Sequence, residues 1–357
     1  MYTNTDSLTN KMQELETLIS NKNTDIIALT ETIPKSFSKD TKAEDFKFRI
    51  KGYTTIECFN GRGLCIFIKD HIQFDRCVLY ESKFKTSLFI KVTTAEDSFT
   101  LGLIYRSPKS TEMENNNLLT QLNLVASEHE TYSKKLMLLG DFNMPGIEWT
   151  SETCCHKESH IEAKFLECIH EHFLFQHVQR PTHCRGEQSE TLIDLIITND
   201  PELVSDTEHE APIGMSHHNV LTFNVNISIP YYRTEPTTRY LFDKGDYQQM
   251  REHVNRVEWT DLFKEDEDIN KWCHNIETVI NEAMELYIPK KIIKTQHPNS
   301  PPKRTFYAPD TLLAKIHDKR KAWKYYKKYP TSLNLKDYHF HRNLVTNETR
   351  NAKRNKE

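Results

Sequence analysis

Short apolar runs bounded by polar residues constrain this chain more than any other feature. Seven of them, Asp25–Glu31, Gly63–Lys69, Thr86–Val92, Phe99–Arg106, Lys135–Gly140, Thr191–Thr198 and Asn219–Asn226, have the length and apolar character of buried strands. Helical spacing fills only some of the gaps. Leu8, Met12, Leu15, Leu18 and Ile19 predict an amphipathic helix over Ser7–Asn21, and two more helices are expected at Asn117–Glu128 and Ser159–Phe173. Several strands are therefore joined by turns, which makes part of the sheet antiparallel. The expected fold is α/β, with two stacked sheets between flanking helices rather than one doubly wound parallel sheet.

The strand pattern stops near Ile229-Pro230. Helical patterns follow at Asp246–Val257, Asp268–Leu286 and Pro309–Tyr329, and His297-Pro298-Asn299-Ser300-Pro301-Pro302 has the composition of a linker. The expected division is a catalytic-size domain over 1–229, a helical connector over 230–296 and a basic helical tail over 297–357. There is no internal repeat.

Charge divides along the same line. Residues 290–357 hold 18 Lys and Arg against 5 Asp and Glu, a net of +13, so the chain's total of -4 leaves -17 on the first 289 residues. A basic tail on an acidic body points to a polyanionic partner for the tail. Within it, Lys321, Trp323 and Lys324 belong to a run that mixes cations with aromatics, the residue types that neutralise phosphates and stack on bases. A solvated helix face has the same composition. Eight cysteines without a CxxC pair suit reduced thiols. With polar first residues and no apolar stretch of bilayer length, the expected location is nuclear or cytoplasmic, with no membrane and no organic cofactor.

Three strand ends carry the residues most suited to chemistry. Leu138-Leu139-Gly140-Asp141-Phe142-Asn143 sets an acid and an amide directly after an apolar run. Asp194 lies inside the apolar run Leu192–Ile197, where an unpaired carboxylate costs several kcal/mol, so it needs a partner. His218, in Ser216-His217-His218-Asn219, is the candidate, because a carboxylate on one ring nitrogen raises the basicity of the other. Glu31 ends another strand, and Asn4 and Asp6 precede the first helix, where they would equally serve as caps. Cys154-Cys155-His156 with His160 has metal-binding residue types without the usual spacing, and is read as a surface insertion. Trp149 is expected to pack beneath the loop that follows Asp141.

Taken in order, Tyr2–Leu8, Ala28–Thr32, Gly61–Gly63, Ile104–Pro108, Gly140–Asn143, Leu192–Leu195 and Ser216–Asn219 closely resemble the motifs of the endonuclease/exonuclease/phosphatase superfamily. The likeness is greatest to the apurinic-like endonuclease of LINE-type retrotransposons. It implies a four-layered α/β/β/α, deoxyribonuclease I-like sandwich over residues 2–227, with a helical C-terminal extension. Arg239–Tyr247, Trp259 and Pro289-Lys290-Lys291 look like the connector that leads into a reverse transcriptase in those elements, which implies an original fusion to one.

The resemblance implies Mg²⁺ or Mn²⁺ held by Glu31 with help from Asn4 and Asp6, since hard oxygen ligands suit those ions. It makes Asp141 the group that orients or deprotonates water and Asn143 the holder of phosphate or nucleophile. His218, oriented by Asp194, would stabilise charge on the phosphoryl oxygens, with Tyr105 as a further donor and Arg106 among the DNA contacts. DNA is the implied substrate, and a nick with a free 3′-hydroxyl the implied product. The alternatives are an impaired remnant that acts at most as a binding module and a phosphodiesterase on another substrate.

The sequence departs from the pattern twice. His217 stands where relatives have a metal-site carboxylate, which implies weaker Mg²⁺-dependent activity or a shift towards Mn²⁺. Only three residues precede Asn4, so the core strand that should lead into it is expected to be missing or incomplete.

Overall fold

In the computed structural model, residues 1–35, 47–94, 97–131, 134–185, 189–227, 237–263, 268–293 and 310–354 are described. The expected linker at 297–302 and the boundary at Ile229-Pro230 lie outside them. Two compact units emerge, one formed by Met1–Pro230 with Pro301–Glu357 and the other by Tyr231–Ser300.

The first unit opens with β1 (Tyr2–Asn4), α1 (Met12–Lys22), β2 (Ile26–Thr30), β3 (Tyr53–Cys58), β4 (Leu64–Lys69), β5 (Gln73–Arg76), β6 (Ser87–Thr93) and β7 (Ser98–Tyr105). It continues with α2 (Glu112–Thr131), β8 (Lys135–Asp141), the short β9 (Ile147–Glu148) and β10 (Thr153–Cys154), and α3 (Ile161–Glu171). β11 (Phe175–Gln176), β12 (Asp194–Thr198), β13 (Val204–Glu210) and β14 (Val220–Val225) complete the strands. Two six-stranded sheets result, ordered β13-β14-β1-β2-β4-β3 and β11-β12-β8-β7-β6-β5.

The sheets share one plan. Each has a single parallel pair, β1 with β2 and β7 with β8, and antiparallel neighbours elsewhere. A parallel pair needs a crossover, which α1 and α2 supply.

Three apolar layers separate four structural ones. Tyr2, Ala28, Ile66 and Leu221 of one sheet meet Leu88, Leu101, Leu103, Met137, Leu139 and Ile196 of the other. The alternate residues of the first sheet, Ile27, Leu29, Cys65 and Phe67, pack on Leu15, Leu18 and Ile19 of α1. Those of the second, Phe89, Ile104, Leu138 and Leu195, pack on Leu118, Leu122 and Val125 of α2 and Phe165 and Ile169 of α3. Trp149 joins this cluster edge-on to Phe165. The architecture is the α/β/β/α sandwich expected from the sequence, and it follows from period-two alternation with both faces of each sheet covered.

Two expectations change. The strand ahead of Asn4 is present as β1, in the middle of its sheet, pairing Tyr2 with Leu221 on one side and with Ala28 on the other. The first helix starts at Met12 instead of Ser7. Asp6 and Ser7 take positive φ angles of 40° and 74°, and the amides of Ser7 and Leu8 bond the carbonyls of Glu31 and Thr32. Those bonds fasten the segment across the end of β2 and leave its backbone unable to wind into a helix.

α7 (Asp310–Lys328) and α8 (Ser332–Arg354) form an antiparallel hairpin that belongs to the first unit. Trp323, Ala322, Tyr326 and Tyr338 cluster with Ala211 of the sandwich. Fully buried Lys319 donates to Glu14 of α1 and, at 2.7 Å, to the Pro212 carbonyl. The second unit pairs β15 (Thr237–Tyr240) with β16 (Lys290–Ile293) and contains α4 (Tyr247–Asn255), α5 (Trp259–Leu262) and α6 (Ile269–Tyr287). No helix among the described residues is long and apolar enough to cross a membrane.

Candidate active site

The parity that builds the core also builds the site. Along β8, Met137 and Leu139 face the inter-sheet layer, so Asp141 two residues later faces the same way at its rim. Leu101, Leu103 and Tyr105 do the same on β7, and register places Tyr105 opposite Asp141. On the other side of β8, Asp194 pairs with Asp141 and shares the face of Ile196. In the opposing sheet Tyr2 faces the same layer, which directs Asn4 there as well. Four strand ends, those of β1, β7, β8 and β12, thus deliver polar groups to one end of the sandwich.

His218 joins them. Its Nδ1 lies 2.8 Å from Asp194 Oδ2 and its Nε2 4.0 Å from Asp141 Oδ2. Ser216 fixes this approach by donating to the Asn4 carbonyl at 2.7 Å and accepting from the His218 amide at 3.2 Å. Tyr2 donates its hydroxyl to Asp194 Oδ1 at 2.8 Å, so each oxygen of this fully buried carboxylate has a partner. Asn4 Nδ2 donates to Asp141 Oδ2 at 2.8 Å. Asp141, Asp194 and His218 bring one potential ligand atom each within 4.8 Å of one another.

Electrostatics separate the two aspartates. Burial pushes Asp141 up to about 8, reinforced by the neighbouring Asp194 charge. Burial would raise Asp194 too, but His218 outweighs it and holds that carboxyl below the usual range. Burial alone would lower His218, whereas Asp194 chiefly, then Asp141 and Glu31, raise it to about 9. The site therefore pairs an Asp194 carboxylate with a His218 imidazolium, beside an Asp141 carboxyl whose charged form is disfavoured and which is correspondingly more basic than an ordinary aspartate. Burial and the Glu31 charge keep the Tyr105 hydroxyl protonated, as a donor.

Glu31 sits at the end of β2 with a φ of 52°. Its Oε2 meets Arg62 Nη1 at 2.8 Å, while Arg62 Nη2 meets Asp6 Oδ1 at 3.0 Å, with Lys35 Nζ 3.3 Å from the same Asp6 oxygen. One guanidinium thus bridges Asp6 and Glu31, two of the residues expected to share a cation. The donor set fits a hard divalent ion, because both are carboxylates and a positive charge already sits between them. Asn4 does not add a free oxygen: its Oδ1 accepts from the Asp6 amide at 3.0 Å.

Other expected site residues are placed differently. Asn143, at φ 51°, donates Nδ2 to the Arg106 carbonyl at 2.8 Å, and its amide donates to Asp141 Oδ1 at 3.2 Å. Its side chain braces the loop and does not reach out for phosphate. Arg106 is buried and donates to Asn115 Oδ1 at 2.8 Å and the Asn143 carbonyl at 3.0 Å, so its guanidinium holds that loop instead of facing DNA. Trp323 is buried against Tyr326 and Tyr338, because the amphipathic faces of α7 and α8 close over it, and it has no face to offer a base. Lys321 and Lys324 are exposed and line a groove between α7 and α8 with Lys328 and His341. His217 borders a small cavity with Trp323, Tyr338 and Arg342, and neither cluster of metal-ligating side chains among the described residues includes it.

Sequence reasoning gave no role to Tyr2, Arg62 or Ser216, although all three lie within the quoted motifs, and it missed His183, whose ring lies 4.6 Å from that of His218. Tyr2 carried a signal, since it stands two residues before Asn4 on a strand. The others act through side-chain contacts that no local pattern records.

Residues 99–222 match the family described as "Endonuclease-reverse transcriptase", which bears out the resemblance seen in the motifs. Among solved structures, the endonuclease domain of TRAS1, a telomere-specific non-LTR retrotransposon, is similar at 16% identity and a TM-score of 0.48, covering 63% of this chain and 98% of that one. The 3′ phosphatase NExo from Neisseria, bound to product DNA hairpin, matches at 15% and 0.43, over 63% and 99%. The Xenopus laevis APE2 catalytic domain matches at 14% and 0.43, over 63% and 92%. No curated protein matches this chain.

Proposed function

We propose that this protein hydrolyses phosphodiesters with the help of a divalent metal ion, acting as a DNA-nicking endonuclease of retrotransposon origin. The observation that carries this reading is His218, held by Asp194 at 2.8 Å and facing Asp141 at 4.0 Å, beside Asn4 and the Asp6–Glu31 pair. The family description of residues 99–222, "Endonuclease-reverse transcriptase", supports an endonuclease and a reverse transcriptase as the original fusion partner.

Asp6 and Glu31 are the residues that would hold Mg²⁺ or Mn²⁺, and such an ion supplies Lewis-acid stabilisation of phosphoryl oxygens. Asn4 keeps Asp141 turned towards the reacting centre. Asp141, raised to about 8, is close to the ideal strength for a base at neutral pH and takes the proton of the attacking water. The His218 imidazolium, with Tyr105 as a second donor, stabilises charge on the non-bridging oxygens, and Asp194 prevents the ring from turning. The P–O3′ bond then breaks, and the 3′ oxygen departs as a hydroxyl after protonation from solvent.

A non-cutting remnant is the second reading, favoured by the Arg62 guanidinium seated between the two candidate ligands. A supercoiled-plasmid assay with Mg²⁺ and with Mn²⁺ separates them. Under the proposal, wild-type protein nicks while Glu31→Ala and His218→Ala lose at least ~100-fold of the rate. Equal residual activity in all three proteins identifies the remnant.

A further inference from the structure

The loop that follows Asp141 rests, at Gly146, against a second group of metal-ligating side chains. β9 and β10 pair Glu148 with Thr153 and Ile147 with Cys154, returning the chain so that the Cys155 amide donates to the Gly146 carbonyl at 3.0 Å. His156 follows, and five residues later α3 begins with His160 as its cap and Glu162 in its first turn. The His156 and His160 rings lie 4.1 Å apart.

Glu162 is the unusual member. Its side chain is 5% exposed, and Oε1 accepts from the Gly146 amide at 3.1 Å. Its Oε2 is fully buried without a hydrogen-bond partner. That oxygen lies 3.0 Å from His156 Nε2 and 3.6 Å from His160 Nδ1, in neither case with hydrogen-bond geometry. Metal–nitrogen and metal–oxygen bonds of about 2.0–2.1 Å in a tetrahedral site hold ligand atoms about 3.3 Å apart, and the two separations bracket that value. An unsatisfied buried carboxylate oxygen is costly, and a cation shared with two imidazoles removes the cost.

Only glycine lets the loop approach so closely. A Cβ on Gly146 would lie 2.3 Å from Glu162 Oε2 and 2.8 Å from the His156 ring. Backbone, carboxylate and imidazole are thus fitted to one another around Oε2.

We propose that His156 Nε2, His160 Nδ1 and Glu162 Oε2 form a zinc site that fastens the segment after Asp141 to the start of α3. Two imidazoles and one carboxylate suit Zn²⁺ better than the hard ions matched to Asp6 and Glu31, and the fourth position is left to water. His160 Nδ1 gives up a long, 3.4 Å bond from the Glu162 amide to become a ligand. This site stands independently of the nuclease reading.

The test is titration of the full-length protein with Zn²⁺ against a chromophoric chelator, with Co²⁺ absorption as a second readout. His156 and His160 are 46% and 45% exposed, so His156→Gln and His160→Gln leave the fold intact, which matched melting temperatures in chelator would verify. Wild-type protein and Glu31→Gln should bind one Zn²⁺ equivalent with equal affinity. Each histidine variant should bind it at least ~10-fold more weakly, since one ligand of three is lost. Wild-type affinity in both histidine variants, or no Zn²⁺ equivalent in the wild type, overturns the site and leaves a His156–Glu162 ion pair.

Discussion

His218 shows how a single side chain can be set by its partners against its surroundings. It is buried, which disfavours the imidazolium, yet Asp194 raises it to about 9. A histidine whose folded value exceeds the ordinary 6.5 contributes stability that is complete below about 6.5 and disappears as pH rises through about 9. In Asp194→Asn the largest offset to burial is lost and only the Asp141 and Glu31 charges remain, so the His218 resonance followed by NMR should titrate at least ~2 units lower. A midpoint still near 9 in that variant would deny Asp194 its role. Arg62 makes the complementary case, since it occupies the space between Asp6 and Glu31 that a divalent ion would need. Arg62→Ala should tighten Mn²⁺ binding, measured by calorimetry or by loss of the free-ion paramagnetic signal, by about 10-fold, the worth of one charge-assisted contact. Unchanged or weaker binding would mean that guanidinium and metal do not compete.

At the scale of elements, the hairpin of α7 and α8 is held by a buried ion pair. Lys319 is 1% exposed, donates to Glu14 and to Pro212, and Glu14 also accepts from the Gly214 amide at 2.9 Å. Removing one member strands the other in the interior. Lys319→Ala should therefore lower unfolding stability by about 3–5 kcal/mol in a denaturant titration. A loss under about 1 kcal/mol would show that water reaches Glu14. Composition alone presented Lys319 as one cation in a basic run, and helical periodicity could not reveal that it turns inward while Lys321 and Lys324 stay exposed.

For the whole molecule, the charge division acquires a structural meaning. Part of the basic tail answers the acidic body directly, through Lys319 to Glu14 and Lys327 to Glu190 at 2.7 Å. Deleting residues 310–354 would expose Ala211 and leave Glu14 and Glu190 without these partners. The truncated protein should melt several degrees lower in a thermal scan, by roughly 2–4 °C per kcal/mol lost. An unchanged melting temperature would show that the hairpin adds nothing to the stability of the sandwich.

Much was legible in the sequence because it depends on local rules. Alternation along Met137-Leu138-Leu139-Gly140-Asp141, and the cost of leaving Asp194 alone in an apolar strand, expose the sandwich and its acidic rim without coordinates. The tertiary structure decided what each polar group does with its neighbours. It turned Arg106 and Asn143 inward to brace a loop, buried Trp323, set Arg62 between two acids and left Glu162 Oε2 unpartnered between two histidines. The division has a physical cause. Periodicity and desolvation act within a strand or helix, so they are written along the chain. Hydrogen bonds and ion pairs form between residues that only the packing of two sheets brings within 3 Å, and no one segment encodes them.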